Sequence, residues 1–397
     1  MKDNYRILIT KFREKIISIL YLNNEALEIG VEEDIFQGSI HIAKIKNIVK
    51  NINAAFIEIQ KNKSEKELCY YSLEENKYHN FVNESARLCE QEDIIVQISK
   101  ESVKTKQMVA SSHINIAGTY VIVSRGRGNI RFSSKIKDKN KKELLKEQLS
   151  DVTLENLDIL VRTKAFDIDD ISIIKNEVKL LSSEYNELIH NSRYRTSPMV
   201  LKESEPKYLQ FIKKISNVDE LEVITDINKA FEDIDIYFKK MKEIDLNFNF
   251  KLRLYDDERI TLSSLYSIKT LMENVLSKKV WLKSGAYLVI DYTEAMTIID
   301  VNTGKNEAKT ELGDTIKRVN LEAVSEIASL LRLRNISGII IIDFIDMKDD
   351  RDKKEIFDLL NLLLSKDSVK ARAVDFTKLG LVEMTRQKLM KPIYEYF

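Results

Sequence analysis

The sequence predicts an α/β protein built from several subdomains, and three observations carry that expectation. Short alternating strands separated by Lys/Asn/Glu turns run from Gly38 to about residue 110, the pattern of a small closed all-β module. Further along, Ile298-Ile299 and the run Ile339 through Ile342 each read as a buried apolar segment driven into a carboxylate, Asp300 and Asp343. Between them, from Asp314 to Arg334, apolar residues recur at Ile316, Val319, Ala323, Ile327, Leu330 and Leu331, a helical period. Strand, helix and strand in that order argue for an α/β layer.

Gly and Pro number only 10 and 3, so boundaries must come from changes of pattern. Residues 5–35 alternate in strand fashion through Ile7-Leu-Ile9, Ile16 to Leu22 and Leu27 to Val31. Gly38 opens a new unit, with Ser39 to Val49 and Ala54 to Ile59 as its first strands, and this unit spans 38–112. A mixed unit follows over 113–197: a strand from Thr119 to Val123, a lysine-rich helix near 139–150, a strand from Leu157 to Val161 and a helix over 169–190. Residues 198–270 read as helix, strand, helix. Residues 271–397 hold the two carboxylate-ended strands.

At 397 residues the chain has ample core for about two to four compact units. Lys+Arg and Asp+Glu are equal at 63 each, so any nucleic-acid surface must come from local segregation of charge. No apolar run approaches the roughly 18 residues that would span a bilayer. Met1 to Thr10 reads as a polar lead into a strand and not as a signal peptide, and the expected location is cytoplasmic. Only Cys69 and Cys89 are present, with no C-x-x-C pair, which disfavours a disulfide scaffold and a thiolate zinc site. His41, His79, His113 and His190 are scattered without ligand spacing.

A carboxylate at a strand end is held rigidly while its oxygens face a cleft, and two of them converging make a hard-oxygen site that suits Mg2+. The plainer alternative is that both are turn residues at strand ends. Strand alternation puts Asp300 and Asn302 on one face, where the Asn302 amide can orient the Asp300 carboxylate. Asp343 and Asp346 are three positions apart and face opposite sides if the strand continues, so Asp343 is the partner and Asp346 structural.

The stretch Ser284-Gly-Ala-Tyr-Leu-Val-Ile-Asp-Tyr-Thr-Glu-Ala-Met-Thr-Ile-Ile-Asp-Val-Asn-Thr-Gly304 is the first of three long blocks in order. The second is Asn320-Leu-Glu-Ala-Val-Ser-Glu-Ile-Ala-Ser-Leu-Leu-Arg-Leu-Arg334, running on through Asn335-Ile-Ser-Gly-Ile-Ile-Ile-Ile-Asp-Phe-Ile-Asp-Met347. The third is Leu379-Gly-Leu-Val-Glu-Met-Thr-Arg386. Together they closely resemble the catalytic core of the ribonuclease E/G family of bacterial endoribonucleases, and the resemblance spans nearly the whole chain. It implies a ribonuclease H-like subdomain from 1–37 and 198–270, interrupted by an inserted S1 (OB-type) barrel over 38–112 and a 5′-sensor subdomain over 113–197. A DNase I-like catalytic subdomain follows over 271–397.

The resemblance also implies site residues. Asp300, Asn302 and Asp343 match the family's catalytic set, the two aspartates holding one Mg2+. Hydrolysis of single-stranded RNA in RNA processing and decay, leaving a 5′-phosphate and a 3′-hydroxyl, is the implied reaction. Phe56 and Tyr70 match base-stacking aromatics, and Lys106 matches an RNA-binding lysine, with Gln107 where glycine is usual; read from pattern alone, Phe56 fits the core equally well. Arg162 and Thr163 match the 5′-phosphate sensor, and Gly118 and Ile122 match its backbone contributors, so 5′-monophosphorylated ends should be favoured. The family's paired arginines are here Ser134-Lys135, which weakens that expectation; Arg125, Arg127 and Arg131 either restore the charge or form a solvated basic loop. Arg332, Arg334, Lys370 and Arg386 flank the catalytic strands and each can contact phosphate; a helix C-terminus also accounts for Arg332 and Arg334. Family members usually continue, past the region matching Lys391-Pro392, into a C-P-x-C segment sharing zinc between subunits. This chain stops at Phe397 without it, which predicts a monomer or weak homodimer with no zinc link. The rival reading is an S1-type RNA-binding protein without cleavage activity, against which the retention of all three catalytic positions speaks.

Overall fold

A computed structural model describes residues 4–33, 36–61, 65–83, 85, 87–101, 107–152, 156–215, 221–246, 248, 250–304 and 312–397. The fold is mixed α/β and contains a closed five-stranded barrel. It divides into two compact units. The first comprises Met1–Glu32, Lys214–Asp235 and Asn249–Phe397; the second comprises Glu33–Lys213 and Ile236–Phe248. Among the described residues no helix is long and apolar enough to cross a membrane.

The first unit holds two sheets. In the five-stranded one, Tyr5–Phe12, Lys15–Leu22 and Glu25–Val31 form an antiparallel meander. Leu221–Thr225 and then Phe250–Leu254 extend it in parallel from the Tyr5–Phe12 edge. Phe250–Leu254 is a strand where the pattern suggested only helix, strand, helix. Its residues alternate between half-buried and exposed, with Lys251 and Arg253 turned outward, so it carries little apolar signal of its own. The six-stranded sheet runs in the order Lys279–Trp281, Tyr287–Tyr292, Met296–Asn302, Gly338–Asp343, Val382–Arg386, Ala371–Phe376. Only its central pair, Met296–Asn302 and Gly338–Asp343, is parallel. Parallel neighbours need a crossover, and helix Leu312–Leu333 supplies it. Val319, Ala323, Ile327 and Leu331 of that helix share a core with Ile299, Val301, Ile340 and Ile342 of the strands. Helix Asp350–Ser365 packs beside it and starts where Asp349 accepts a hydrogen bond from the Arg351 amide.

In the second unit, strands Ile40–Val49, Ala54–Gln60, Lys66–Ser72, Val109–Ser111 and Asp93–Lys100 close into the barrel. Closure comes from Ile40 opposite Gln97 through Lys44 opposite Asp93. Ala43, Ile45, Ile57, Cys69, Tyr71 and Val96 fill its interior. Met199–Lys202 adds an antiparallel strand against Ile40–Ile42, another element absent from the pattern-based reading; all four of its residues are half-buried and show no alternation. A four-stranded sheet of Asn115–Ala117, Val121–Arg125, Leu157–Val161 and Ile130–Phe132 completes the unit. Helix Ile171–Ser192 packs on it, burying Ile174, Val178, Leu181 and Tyr185 at helical spacing. The strand expected to begin at Thr119 begins at Val121 instead. The Gly118 amide bonds to the Val121 carbonyl at 2.8 Å and closes a turn there.

Candidate active site

Asp300 lies in strand Met296–Asn302 and Asp343 ends strand Gly338–Asp343, and the two are direct register partners. Neighbouring strands stand about 4.8 Å apart, so both carboxylates leave the same face of the sheet side by side. Asn302 Nδ2 donates to Asp300 Oδ2 at 2.8 Å, fixing one oxygen and leaving the other free to face outward. The apolar runs before these aspartates are not buried throughout. Ile299, Ile340 and Ile342 enter the core, whereas Ile298 and Ile339 lie exposed on the carboxylate face. A strand with one covered face must alternate in this way.

Partial burial of its carboxyl, and then the charges of Asp300 and Asp346, push the Asp343 pKa up. The strand ends at Asp343, so the alternation expected to carry Asp346 to the opposite face does not apply. Asp346 is exposed in the following loop. That loop is clamped by Asn320 of the crossover helix, fully buried, whose Nδ2 donates to the Ile345 carbonyl at 2.8 Å while its Oδ1 accepts from the Ile345 amide at 3.1 Å. Nothing in the sequence pattern alone singles out Asn320 beyond its place as a polar residue beginning the apolar helical series Ala323, Ile327, Leu331. On the other side of the pair, a Cβ on Gly304 would sit 2.3 Å from the Gly285 carbonyl oxygen, and φ there is +70°. Only glycine permits the turn after Asn302 to approach the Ser284-Gly285 loop so closely.

Two of the four flanking cations are committed to packing. Arg386 is buried, with Nε 2.8 Å from Asp367 Oδ2 and Nη1 donating to Asn335 Oδ1 and the Ile336 carbonyl. Arg334, also buried, donates to the carbonyls of Ser277 and Asn274 and ties its helix end to the C-terminus of helix Ile268–Leu276. Arg332 is half-buried and Lys370 exposed.

The remaining predicted residues lie in the second unit. Phe56 and Tyr70 are cross-strand partners on the outer face of the barrel, centroids 6.3 Å apart and edge-on. Their neighbours Ala55, Ile57, Cys69 and Tyr71 point inward and are fully buried. Both rings are half-buried, and Phe56 is not among the residues of the barrel core. Lys106 lies outside the described residues.

Arg162 immediately precedes the short helix Thr163–Asp167, and its guanidinium donates to the Gly118 carbonyl, so these two are in contact; Thr163 is exposed. The turn they share is held by a buried carboxylate that the sequence did not reveal. Glu177, on helix Ile171–Ser192, accepts from the amides of Thr119, Tyr120 and Val121 at 2.6, 2.7 and 2.8 Å. A Cβ on Gly118 would meet that carboxylate at 2.5 Å. Ile122 lies beyond the turn, beside a cavity of about 580 Å³ that Arg131 and Asp158 also line. Lys164, next to Arg162, has its pKa pulled down to about 8 by burial and then by the Arg162 charge. Arg131 pairs with Asp158 at 2.6 Å and Arg125 donates to Asn80 at 2.8 Å, while the Arg127 side chain is exposed. Ser134 and Lys135 are exposed as well.

Two carboxylates on adjacent strands, one of them steadied by an amide, are an oxygen donor set. Among the described residues no group of three or more His, Cys, Asp or Glu is placed to hold a metal ion. Mg2+ keeps several waters and is commonly bound through only one or two carboxylates, so the pair fits a hydrated Mg2+ and does not form a closed protein cage.

Comparison with known proteins gives the family. The family model described as the Ribonuclease E/G family matches residues 115–389. The Ribonuclease E/G-like protein of Pyropia yezoensis is 30% identical over 357 residues, covering 90% of this chain and 70% of that relative. Ribonuclease E of Synechocystis sp. is 30% identical over 368 residues, covering 91% and 53%. Ribonuclease G of Escherichia coli K12 is 27% identical over 387 residues, covering 94% and 78%. The chain belongs to the ribonuclease E/G family.

Proposed function

We propose that this protein is an endoribonuclease that hydrolyses phosphodiester bonds in single-stranded RNA, with Mg2+ held by Asp300 and Asp343. The observation that carries the reading is the register of Asp300 opposite Asp343 with Asn302 bonded to the first. Hydrolysis builds negative charge on the non-bridging phosphate oxygens and on the departing 3′ oxygen. Mg2+ bound at this pair would supply Lewis-acid stabilisation of that charge. The chain's own residues set the geometry. Asn302 orients Asp300, Asn320 fixes the loop after Asp343, and the Gly304 turn brings the Ser284 loop alongside. The like-charge tension at Asp343 favours cation binding, because a cation relieves it.

The barrel supports single-strand binding through Phe56 and Tyr70, half-buried cross-strand partners on its outer side. In this proposal the barrel is an S1 domain and the four-stranded sheet with its helix a 5′-sensor subdomain. The five-stranded sheet is ribonuclease H-like and the six-stranded one DNase I-like. Arg162 and Thr163 favour RNA carrying a 5′-monophosphate, with the turn braced by Glu177. Because Arg131 is already paired with Asp158, the basic loop adds little to that pocket, and the preference is modest. The test is incubation with single-stranded RNA carrying a 5′-hydroxyl, in MgCl2 or in EDTA, with sequencing of the product ends. Internal cleavage only with Mg2+, leaving 5′-phosphate and 3′-hydroxyl ends, is expected. No cleavage, or cleavage undiminished in EDTA, overturns the proposal.

A further inference from the structure

The carboxylate face of the six-stranded sheet carries more than the aspartate pair. Directly opposed residues in neighbouring strands share a face, so the registers set out two adjacent rows. Lys279, Val289, Asp300 and Asp343 form one, and Trp281, Tyr287 and Asn302 form the next. The intervening Leu288, Ile290, Ile299 and Val301 turn to the core. Trp281, the only tryptophan of the chain, is 63% exposed. Its ring centroid is 5.2 Å from that of half-buried Tyr287, with 59° between the planes. Lys279 Nζ stands 4.0 Å from the Trp281 centroid and 3.5 Å from the Tyr287 centroid.

A lone exposed aromatic on a protein surface is ordinary. Here two aromatic rings and a cation occupy the same sheet face as the candidate reaction centre. With strands about 4.8 Å apart, Tyr287 is one strand from Asn302 and Trp281 is two. That is within reach of a nucleotide adjoining the phosphate at Asp300 and Asp343. The exposed Trp281 ring gives a base of any kind a stacking surface, and Lys279, lying over both rings, suits the neighbouring phosphate. Asn302 links the two rows, since it sits beside Tyr287 and holds Asp300.

We infer that Trp281 and Tyr287, with Lys279, form a base-stacking subsite for a nucleotide flanking the scissile phosphate. This rests on the reading of Asp300 and Asp343 as the cleavage site and names how RNA is positioned there. Trp281 fluorescence tests it without requiring cleavage, because no other tryptophan contributes. Single-stranded oligoribonucleotide added in EDTA should quench Trp281 saturably, whereas an all-abasic oligomer of the same length should not. Absence of base-dependent quenching overturns the subsite whether or not the protein cleaves RNA. In the cleavage assay, Trp281→Ala should lower kcat/KM by roughly tenfold, with Trp281→Phe recovering most of it. An abasic nucleotide at one position beside the scissile bond should slow the wild type by a similar factor and leave Trp281→Ala no slower. If Trp281→Ala remains equally sensitive to that abasic position, or Trp281→Phe fails to recover activity, the rings do not hold the base and the inference is wrong.

Discussion

Replacing Phe56 tests whether the barrel's outer rings bind RNA or only pack together. Phe56 and Tyr70 face each other across neighbouring strands with their centroids 6.3 Å apart. The residues on either side of Phe56 are fully buried, so the ring is not part of the barrel core. An edge-on aromatic pair adds about 0.5–1.5 kcal/mol to stability. A base stacked on an aromatic ring is worth about 1–3 kcal/mol, which corresponds to roughly 5- to 150-fold in affinity. Phe56→Ala removes both contributions together with the apolar bulk, whereas Phe56→Leu removes the ring and keeps the bulk. Fluorescence anisotropy with a labelled single-stranded oligoribonucleotide in EDTA, alongside urea unfolding, separates the two. Phe56→Leu should weaken binding at least fivefold while stability falls by no more than about 1.5 kcal/mol, and Phe56→Tyr should bind as wild type does. If Phe56→Leu binds RNA like the wild type and only Phe56→Ala fails, the ring packs and does not stack.

Three further outcomes follow from particular contacts. Asp367→Ala strands the buried Arg386 guanidinium and should cost about 3–5 kcal/mol, read from urea unfolding by Trp281 fluorescence; a loss under 1 kcal/mol would show that the pair is dispensable. His41, buried in the barrel beside Ser39, has its pKa lowered to about 4 by burial. The unfolded chain therefore takes up a proton on this group first, so stability is full above about pH 6.5 and declines as pH falls toward 4, by about 2 kcal/mol at pH 5. His41→Gln should flatten that acid-side decline in urea titrations at pH 7.5 and 5, and an unchanged slope would assign it to other groups. Arg162→Ala should slow cleavage of 5′-monophosphorylated RNA by roughly tenfold, the loss of one charge-assisted contact, and barely alter cleavage of 5′-hydroxyl RNA. An equal loss on both substrates would make Arg162 a structural residue of the Gly118 turn.

The sequence made the six-stranded sheet legible because its signals are local. The helical spacing of Val319, Ala323 and Ile327 and the carboxylates at Asp300 and Asp343 are visible without knowing any partner strand. Asn302 could be placed on the face of Asp300 by counting alone. What stayed hidden depends on contacts distant in sequence. Asn320 reads as one polar residue in a helix until the Ile345 backbone is set against it. Arg386 could pass for a phosphate ligand because its carboxylate, Asp367, lies 19 positions away. Glu177 is 58 positions from the turn it holds. Strands Met199–Lys202 and Phe250–Leu254 acquire their identity from sheet edges supplied by other segments, and their own composition scarcely announces them.

The most direct test of the cation site is the cleavage rate of Asp300→Asn and Asp343→Asn on single-stranded RNA across a Mg2+ titration, with RNA affinity measured in EDTA as the control for folding. Each substitution keeps the side-chain shape and removes a negative charge from the pair. Both variants should lose roughly 100-fold or more in kcat/KM at saturating Mg2+, in keeping with loss of several kcal/mol of charge stabilisation. RNA affinity in EDTA should stay within about twofold, since stacking of bases on aromatic rings does not draw on these two carboxylates. Rates within about twofold of wild type for either variant, over the whole Mg2+ range, would contradict the assignment of Asp300 and Asp343 as the pair that holds the cation.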